Sequence, residues 1–232
     1  MTRHELKEQV QHDAFAETVN GILEYSAAHR DQLLRWGLLI VAALAIVLAA
    51  IWYAAHTRAQ RQADLAAALD VLSAPVGPPN QFGKTFSTQD AKREASLKAL
   101  TAVVNKDPGT AEGYMAQYYR GTLQATQDPK GAEADLRAVA NANTPSAALA
   151  KIALAQLYVG ENRIADAQQL LRSLIDKPTD LVSKAQAQIL LAQLDQTANP
   201  QEAKKLLQSL RTANQDPAIS RAVGDLSASL TK

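Results

Sequence analysis

Between Arg35 and Arg58 the chain carries no Asp, Glu, Lys or Arg, and residues 36–55 read WGLLIVAALAIVLAAIWYAA. A run of about twenty apolar residues at ~1.5 Å rise covers the ~30 Å hydrocarbon thickness of a bilayer, well past the ~10–14 residues of a buried core helix. The ends of the run carry the matching signal. Trp36 sits at one end, Trp52 and Tyr53 at the other, where amphipathic rings prefer the headgroup level, and Arg35 and Arg58 close it on both sides. Residues 36–57 are therefore expected to form a transmembrane helix, with these five residues as interface anchors. A cleavable signal peptide has a short basic start and a ~7–15-residue apolar stretch. Here a longer, mostly polar segment comes first, which predicts an uncleaved anchor.

Orientation follows from the basic residues. Arg3, Lys7, Arg30 and Arg35 precede the span, whereas Arg58 and Arg61 lie just after it. This bias places residues 1–35 in the cytoplasm and residues 58–232 in the periplasm or its equivalent, as a single-pass protein of the inner membrane. The first segment opens on Thr2-x-x-Glu5, a capping box. Leu6 with Val10, and then Phe15, Val19, Ile22 and Leu23, form apolar stripes at helical spacing, with a break expected near Asp13. Such a helix lies solvated near the membrane surface or docks a cytosolic partner.

The bulk numbers exclude several classes. Lys and Arg number 24 against 23 Asp and Glu, a net charge of +1 that supplies no field for nucleic acid. Cysteine is absent, which removes disulfides, thiol nucleophiles and cysteine-based zinc sites. The apolar fraction is mostly Ala and Leu while aromatics are 5%, a composition for helix rather than strand.

Helix is expected to continue from the span to Leu72 through Leu65 and Leu69. Pro75, Pro78, Pro79, Gly77 and Gly83 then predict a flexible loop over residues 73–88. This loop contains Gly83-Lys84-Thr85, superficially a phosphate-binding loop. Gly77 and Gly83 are separated by five residues instead of four, two of them prolines without N–H groups, and no strand leads in, so no nucleotide site is expected.

Beyond it, helical segments are expected over 89–105, 111–127, 129–142, 145–159, 164–175, 181–197, 200–212 and 217–230. Every second one starts about 34–36 residues after the last, and Pro108, Pro145, Pro178 and Pro217 punctuate the units, which is the period of tetratricopeptide repeats. Small residues fall in the matching places: Leu154-Ala155-x-x-Tyr158 with Ala167-x-x-x-Leu171, Leu191-Ala192 with Ala203-x-x-x-Leu207, and Tyr119-x-Gly121 with Ala134. The fold class expected is all-α, one transmembrane helix followed by an α-solenoid of degenerate tetratricopeptide-like helix pairs. A solenoid groove takes peptides, helices or proteins rather than a small-molecule substrate. Tyr114, Tyr118, Tyr119 and Tyr158 are the aromatic candidates for that groove; the same spacing fits interhelical core residues.

Catalytic chemistry is thinly represented. His4, His12, His29 and His56 all lie at or before the end of the span, and none has metal-ligand spacing. No G-x-S-x-G occurs, and the one S-x-x-K is Ser229 to Lys232 at the end of the sequence. Glu133 and Asp135 read as carboxylates on solvated helix faces. No enzyme, cofactor, metal or nucleic acid is expected.

The layout of a short N-terminal segment, the span WGLLIVAALAIVLAAIWY and a run of degenerate repeats resembles the ancillary subunits of the SecYEG translocon, the YfgM-like tetratricopeptide proteins. The resemblance covers nearly the whole chain in layout and carries over no individual binding residue. It implies partners among translocon subunits, periplasmic chaperones and exported clients, besides membrane lipid. Two other classes fit the same layout: an envelope scaffold for cell division or wall synthesis, and a membrane-tethered regulator that binds a cytosolic protein through its N-terminal helix.

Overall fold

The computed structural model describes residues 30–78, 84–213 and 216–230. The expected helix of residues 1–29 and Gly83 of the loop lie outside them. Among the described residues the chain is all-helical, with nine helices and no strand. Its internal packing divides it at Ala59 and Gln60 into two units.

Helix α1 runs over Arg30–Ser73, 44 residues without interruption or about 66 Å. Large apolar side chains from Leu34 to Tyr53 are exposed all round it, Leu38 at 72%. Over this stretch the helix is apolar on every face, and it is long and apolar enough to cross a membrane. At the polar end of the run the Thr57 hydroxyl donates back to the Tyr53 and Ala54 carbonyls. Its hydrogen bonding is thereby satisfied inside the helix, and the helix continues as expected. It stops where Ala74 N–H donates to Asp70 O and Pro75 forbids another turn.

The described residues of the loop that follows, 74–78 and 84–88, are not helical, and its stems are tied. Val76 and Phe86 form an isolated bridge, with Gly77 N–H donating to Phe86 O at 2.9 Å and Phe86 N–H to Pro75 O at 3.1 Å. Thr88 then caps α2 (Gln89–Lys106) by accepting from Ala91 N–H.

The remaining helices are α3 (Ala111–Gln124), α4 (Pro129–Ala140), α5 (Ser146–Gly160), α6 (Ile164–Asp176), α7 (Lys184–Ala198), α8 (Pro200–Ala213) and α9 (Pro217–Ser229). Local chemistry fixes most of the starts. Thr110, Asp128, Ser183 and Asp216 each accept an orphan amide of the first turn, and Pro129 and Pro217 supply a preset φ. At the turn before α3, Gly109 adopts φ +74, the left-handed region that glycine enters without strain. The expected start at Leu181 moves to Lys184. Thr179 and Val182 close a turn on each other, Val182 is fully buried, and Ser183 takes the cap.

From α2 onward each helix packs on the next, and α3 also touches α5, as α7 touches α9. Connections of a few residues between packed neighbours require the chain to reverse. The buried residues repeat with the helices. Ala132, Leu136 and Val139 in α4 correspond to Ala167, Leu171 and Leu174 in α6 and to Ala203, Leu207 and Leu210 in α8, all at most 4% exposed. This register corrects the expectation for α4. Ala134 is exposed and Ala132 is the small buried residue, because Leu136 must face the core four positions on, as Leu171 and Leu207 do. Gly121 lies against that contact. A Cβ there would stand 2.9 Å from the Leu136 Cγ, so the close approach of α3 and α4 needs glycine.

Candidate protein-binding face

Helix α1 carries the five expected interface anchors. Arg35, Trp36, Trp52, Tyr53 and Arg58 are all exposed along it, and Trp52 stacks on His56 with ring centroids 5.4 Å apart. Exposed tryptophans at the two ends of an otherwise aliphatic run are the arrangement that lipid headgroups accommodate.

The four tyrosines are not gathered on one face. Tyr158 is 4% exposed and sits in the core of α4, α5 and α6. Tyr114 and Tyr118 are partly buried against that same core, and Tyr119 packs on a separate cluster with Ala68, Leu100 and Val103. Tyr118 and Tyr119 meet edge to face at 5.2 Å. Burial, with the neighbouring Tyr119, pushes the Tyr118 hydroxyl to a higher pKa than an exposed phenol.

Two surface cavities flank α5 and adjoin at Gln156. The first, about 300 Å³, lies between α5 and α7 over Leu171 of α6 and is lined by Ile152, Gln156, Val159, Leu190, Gln193 and Leu194, with Ala155 behind. The second, about 490 Å³, lies between α3 and α5 over Leu136 of α4. None of the four tyrosines lines either one. No charged residue borders the first, and only Glu161 borders the second. Val159, at 43% exposure, is an apolar side chain left open beside these cavities. Gln156 and Gln193 are exposed and their amides have no partner among the described residues, so each keeps two donors and an acceptor for a ligand. The segment Leu-Ala-Gln-Leu occurs twice, at 154–157 and 191–194. In both copies the first Leu and the Ala are buried and the Gln faces out. That duplication is the sequence signal of this face.

The other side of α5 is polar. Glu133 and Asp135 are not solvated, as their pattern suggested. Being two positions apart on α4, they turn to different neighbours, and each meets arginine. Asp135 accepts from Arg120 Nε and Nη2, both at 2.6 Å, and from Gln117 at 3.1 Å, with 11% of its side chain exposed. The fork holds Arg120 in its charged form above the ordinary guanidinium range, against the opposing effect of burial. Glu133 accepts from Arg137, Tyr158 Oη and Arg163, while the Arg163 guanidinium lies 3.8 Å over the Tyr158 ring. Burial works to raise the Glu133 pKa, but the Tyr158 and Arg163 hydrogen bonds and the charges of Arg137 and Arg163 outweigh it, leaving it below the usual carboxylate value. A second fully buried acid, Asp195 in α7, accepts from Gln168. All of these carboxylates are spoken for by structural partners. No group of three or more metal-ligating side chains occurs among the described residues.

No family model, curated protein or solved structure matches the chain.

Proposed function

We propose that this chain is a membrane-anchored protein–protein interaction module. In this reading degenerate tetratricopeptide-like helix pairs stack as an α-solenoid, and the groove along their first helices receives a protein segment. The reading extends to an ancillary translocon subunit of the inner membrane, N-terminus cytoplasmic and repeat domain periplasmic, linking protein export to periplasmic chaperones. What carries it is the pair of adjoining cavities along α3, α5 and α7. They are apolar, uncharged where α5 meets α7, open to solvent and furnished with unpartnered amides. Burying one leucine-sized side chain in such a site is worth about 1.5–3 kcal/mol, and glutamine amides can meet the main-chain groups of an extended segment. The recurrence of the buried register in α4, α6 and α8 supports the stacked arrangement.

A photo-crosslinking residue at Val159 in the full chain, in native membranes, tests this reading. Translocon subunits, periplasmic chaperones or exported chains are the expected adducts. Recovery only of division or wall-synthesis proteins would replace the translocon assignment with an envelope scaffold. Adducts that persist unchanged when Leu190 and Leu194 are both changed to Asp would remove the groove as the site. A reporter fused to the C-terminus is expected to be active in the periplasm.

A further inference from the structure

Three equivalent positions of the groove carry neutral polar side chains. Thr122, Gln156 and Gln193 each follow a buried small residue, Gly121 in α3, Ala155 in α5 and Ala192 in α7. The two cavities join these positions, the larger bordered by Thr122 and Gln156, the smaller by Gln156 and Gln193. All three side chains are exposed. The Thr122 hydroxyl donates to Tyr119 O at 2.9 Å and keeps its acceptor side open, while the two glutamine amides are unpartnered among the described residues. The strip that links them offers no free charge. Glu161, the one charged residue on either border, already accepts from Arg163 at 3.0 Å. Along the row α3 touches α5 and α7 touches α9, but no comparable contact joins α5 to α7 among the described residues. There the smaller cavity forms a cleft of about 300 Å³ with Leu171 of α6 in its floor.

These features select the occupant. A charged side chain laid on the strip would lose hydration and find no counter-charge, so acidic and basic segments are disfavoured alike. A helical partner has its main chain already hydrogen-bonded, and it would cover the glutamine amides without meeting them, which carries the cost of a buried unpaired polar group. An extended chain carries free N–H and C=O groups along its length, and a primary amide both donates and accepts.

We infer that the groove takes an extended, uncharged stretch of unfolded polypeptide, held through its main chain by Gln156 and Gln193 with Thr122, and through an apolar side chain in the cleft between α5 and α7. This occupant presupposes the groove reading above and adds to it the class of partner. Contacts to the main chain are tolerant of sequence, whereas the neutral wall is intolerant of charge. Such selectivity suits the apolar stretches of non-native chains better than the charged surface of one folded protein.

The test uses the full chain in phosphatidylcholine nanodiscs and a fluorescent nonapeptide of leucine, serine and glutamine, read by anisotropy. Replacing the central leucine of the peptide by glutamate or by lysine is expected to weaken binding by about tenfold or more in both cases. Methylating alternate main-chain nitrogens of the peptide is expected to weaken it severalfold, and a hydrocarbon staple that makes it helical is expected to weaken it as well. The double variant Gln156→Ala with Gln193→Ala should bind the parent peptide severalfold less tightly and should no longer distinguish it from the methylated one. Either charged peptide binding within about twofold of the neutral one would overturn the proposal. So would a methylation penalty that persists in full in the double variant, or tighter binding of the stapled helix. If the neutral peptide does not bind although Val159 still forms adducts that Leu190→Asp with Leu194→Asp abolishes, the groove reading stands and the extended neutral occupant falls. Adducts that ignore that leucine pair would instead remove the groove, and this occupant with it.

Discussion

Helix α5 separates two surfaces of opposite chemistry. Gln156 and Val159 open onto cavities walled by carbon and idle amides, whereas Lys151 and Tyr158 turn toward arginines and carboxylates. Between them Leu154 and Ala155 are sealed in the core. The 3.6-residue turn produces this division: positions three and four apart share a face, and α5 is narrow enough that both faces reach solvent. The polar face satisfies most of its own groups, so its partners are chiefly structural and Lys151 is the exception. The apolar face satisfies almost nothing internally. A surface left with unmet contact potential is the one a partner has most to gain from covering.

The largest effect should come from removing what both faces share. Leu154→Ala is expected to cost about 2–5 kcal/mol, since Leu154 is 2% exposed and its cavity would be lined by rigid neighbours. Thermal melts of the full chain should show it, and crosslinking at Val159 should weaken with it. Asp135→Ala comes next, at about 3 kcal/mol, because it strands the partly buried Arg120 without a counter-charge. Arg120→Met combined with Asp135→Leu should recover much of that loss. A single variant that melts like the parent would mean the pair contributes little beyond orientation.

How far the sequence revealed this contrast differs between its parts. Helix existence was legible almost throughout, because caps and breakers are local: Thr110, Asp128 and Asp216 act on amides two or three residues away. The long apolar helix was legible as well, since a charge-free run of that length is visible in composition alone. The register within α4 was not. Ala132 and Ala134 are equivalent as residues, and only Leu136 packed against Gly121 decides between them. The charged face was hidden for a related reason. Glu133 and Asp135 look like surface acids until Arg120 and Arg163 are brought in from two other segments to join Arg137, one turn along the same helix. The tyrosines are large, yet Tyr158 serves the polar network, and the open positions are held by two plain glutamines in a duplicated tetrapeptide.

A smaller effect should depend on pH. The Glu133 pKa is lowered in the fold relative to an ordinary value of 4.5, so its stabilisation is fully present above that value and lost as pH falls through the lower folded one. Glu133→Gln should melt below the parent near neutral pH, and the gap should close in acid. A gap that stays constant with pH would assign the loss to packing and not to the ionised carboxylate.

The smallest stability effect belongs to the groove itself. Gln156 has no partner within the described residues and reaches solvent, so Gln156→Ala breaks no internal hydrogen bond and should shift stability by less than about 0.5 kcal/mol. Alanine also favours helix slightly, which can offset the little packing lost. Recovery of crosslinked partner from Val159 should nevertheless fall, most clearly when Gln193→Ala is added, because both copies of the duplicated motif then lack their amide. If melting and crosslinking are both unchanged in the double variant, the amides are bystanders and the groove binds through its apolar wall alone; Leu190→Asp would then be the substitution that empties it.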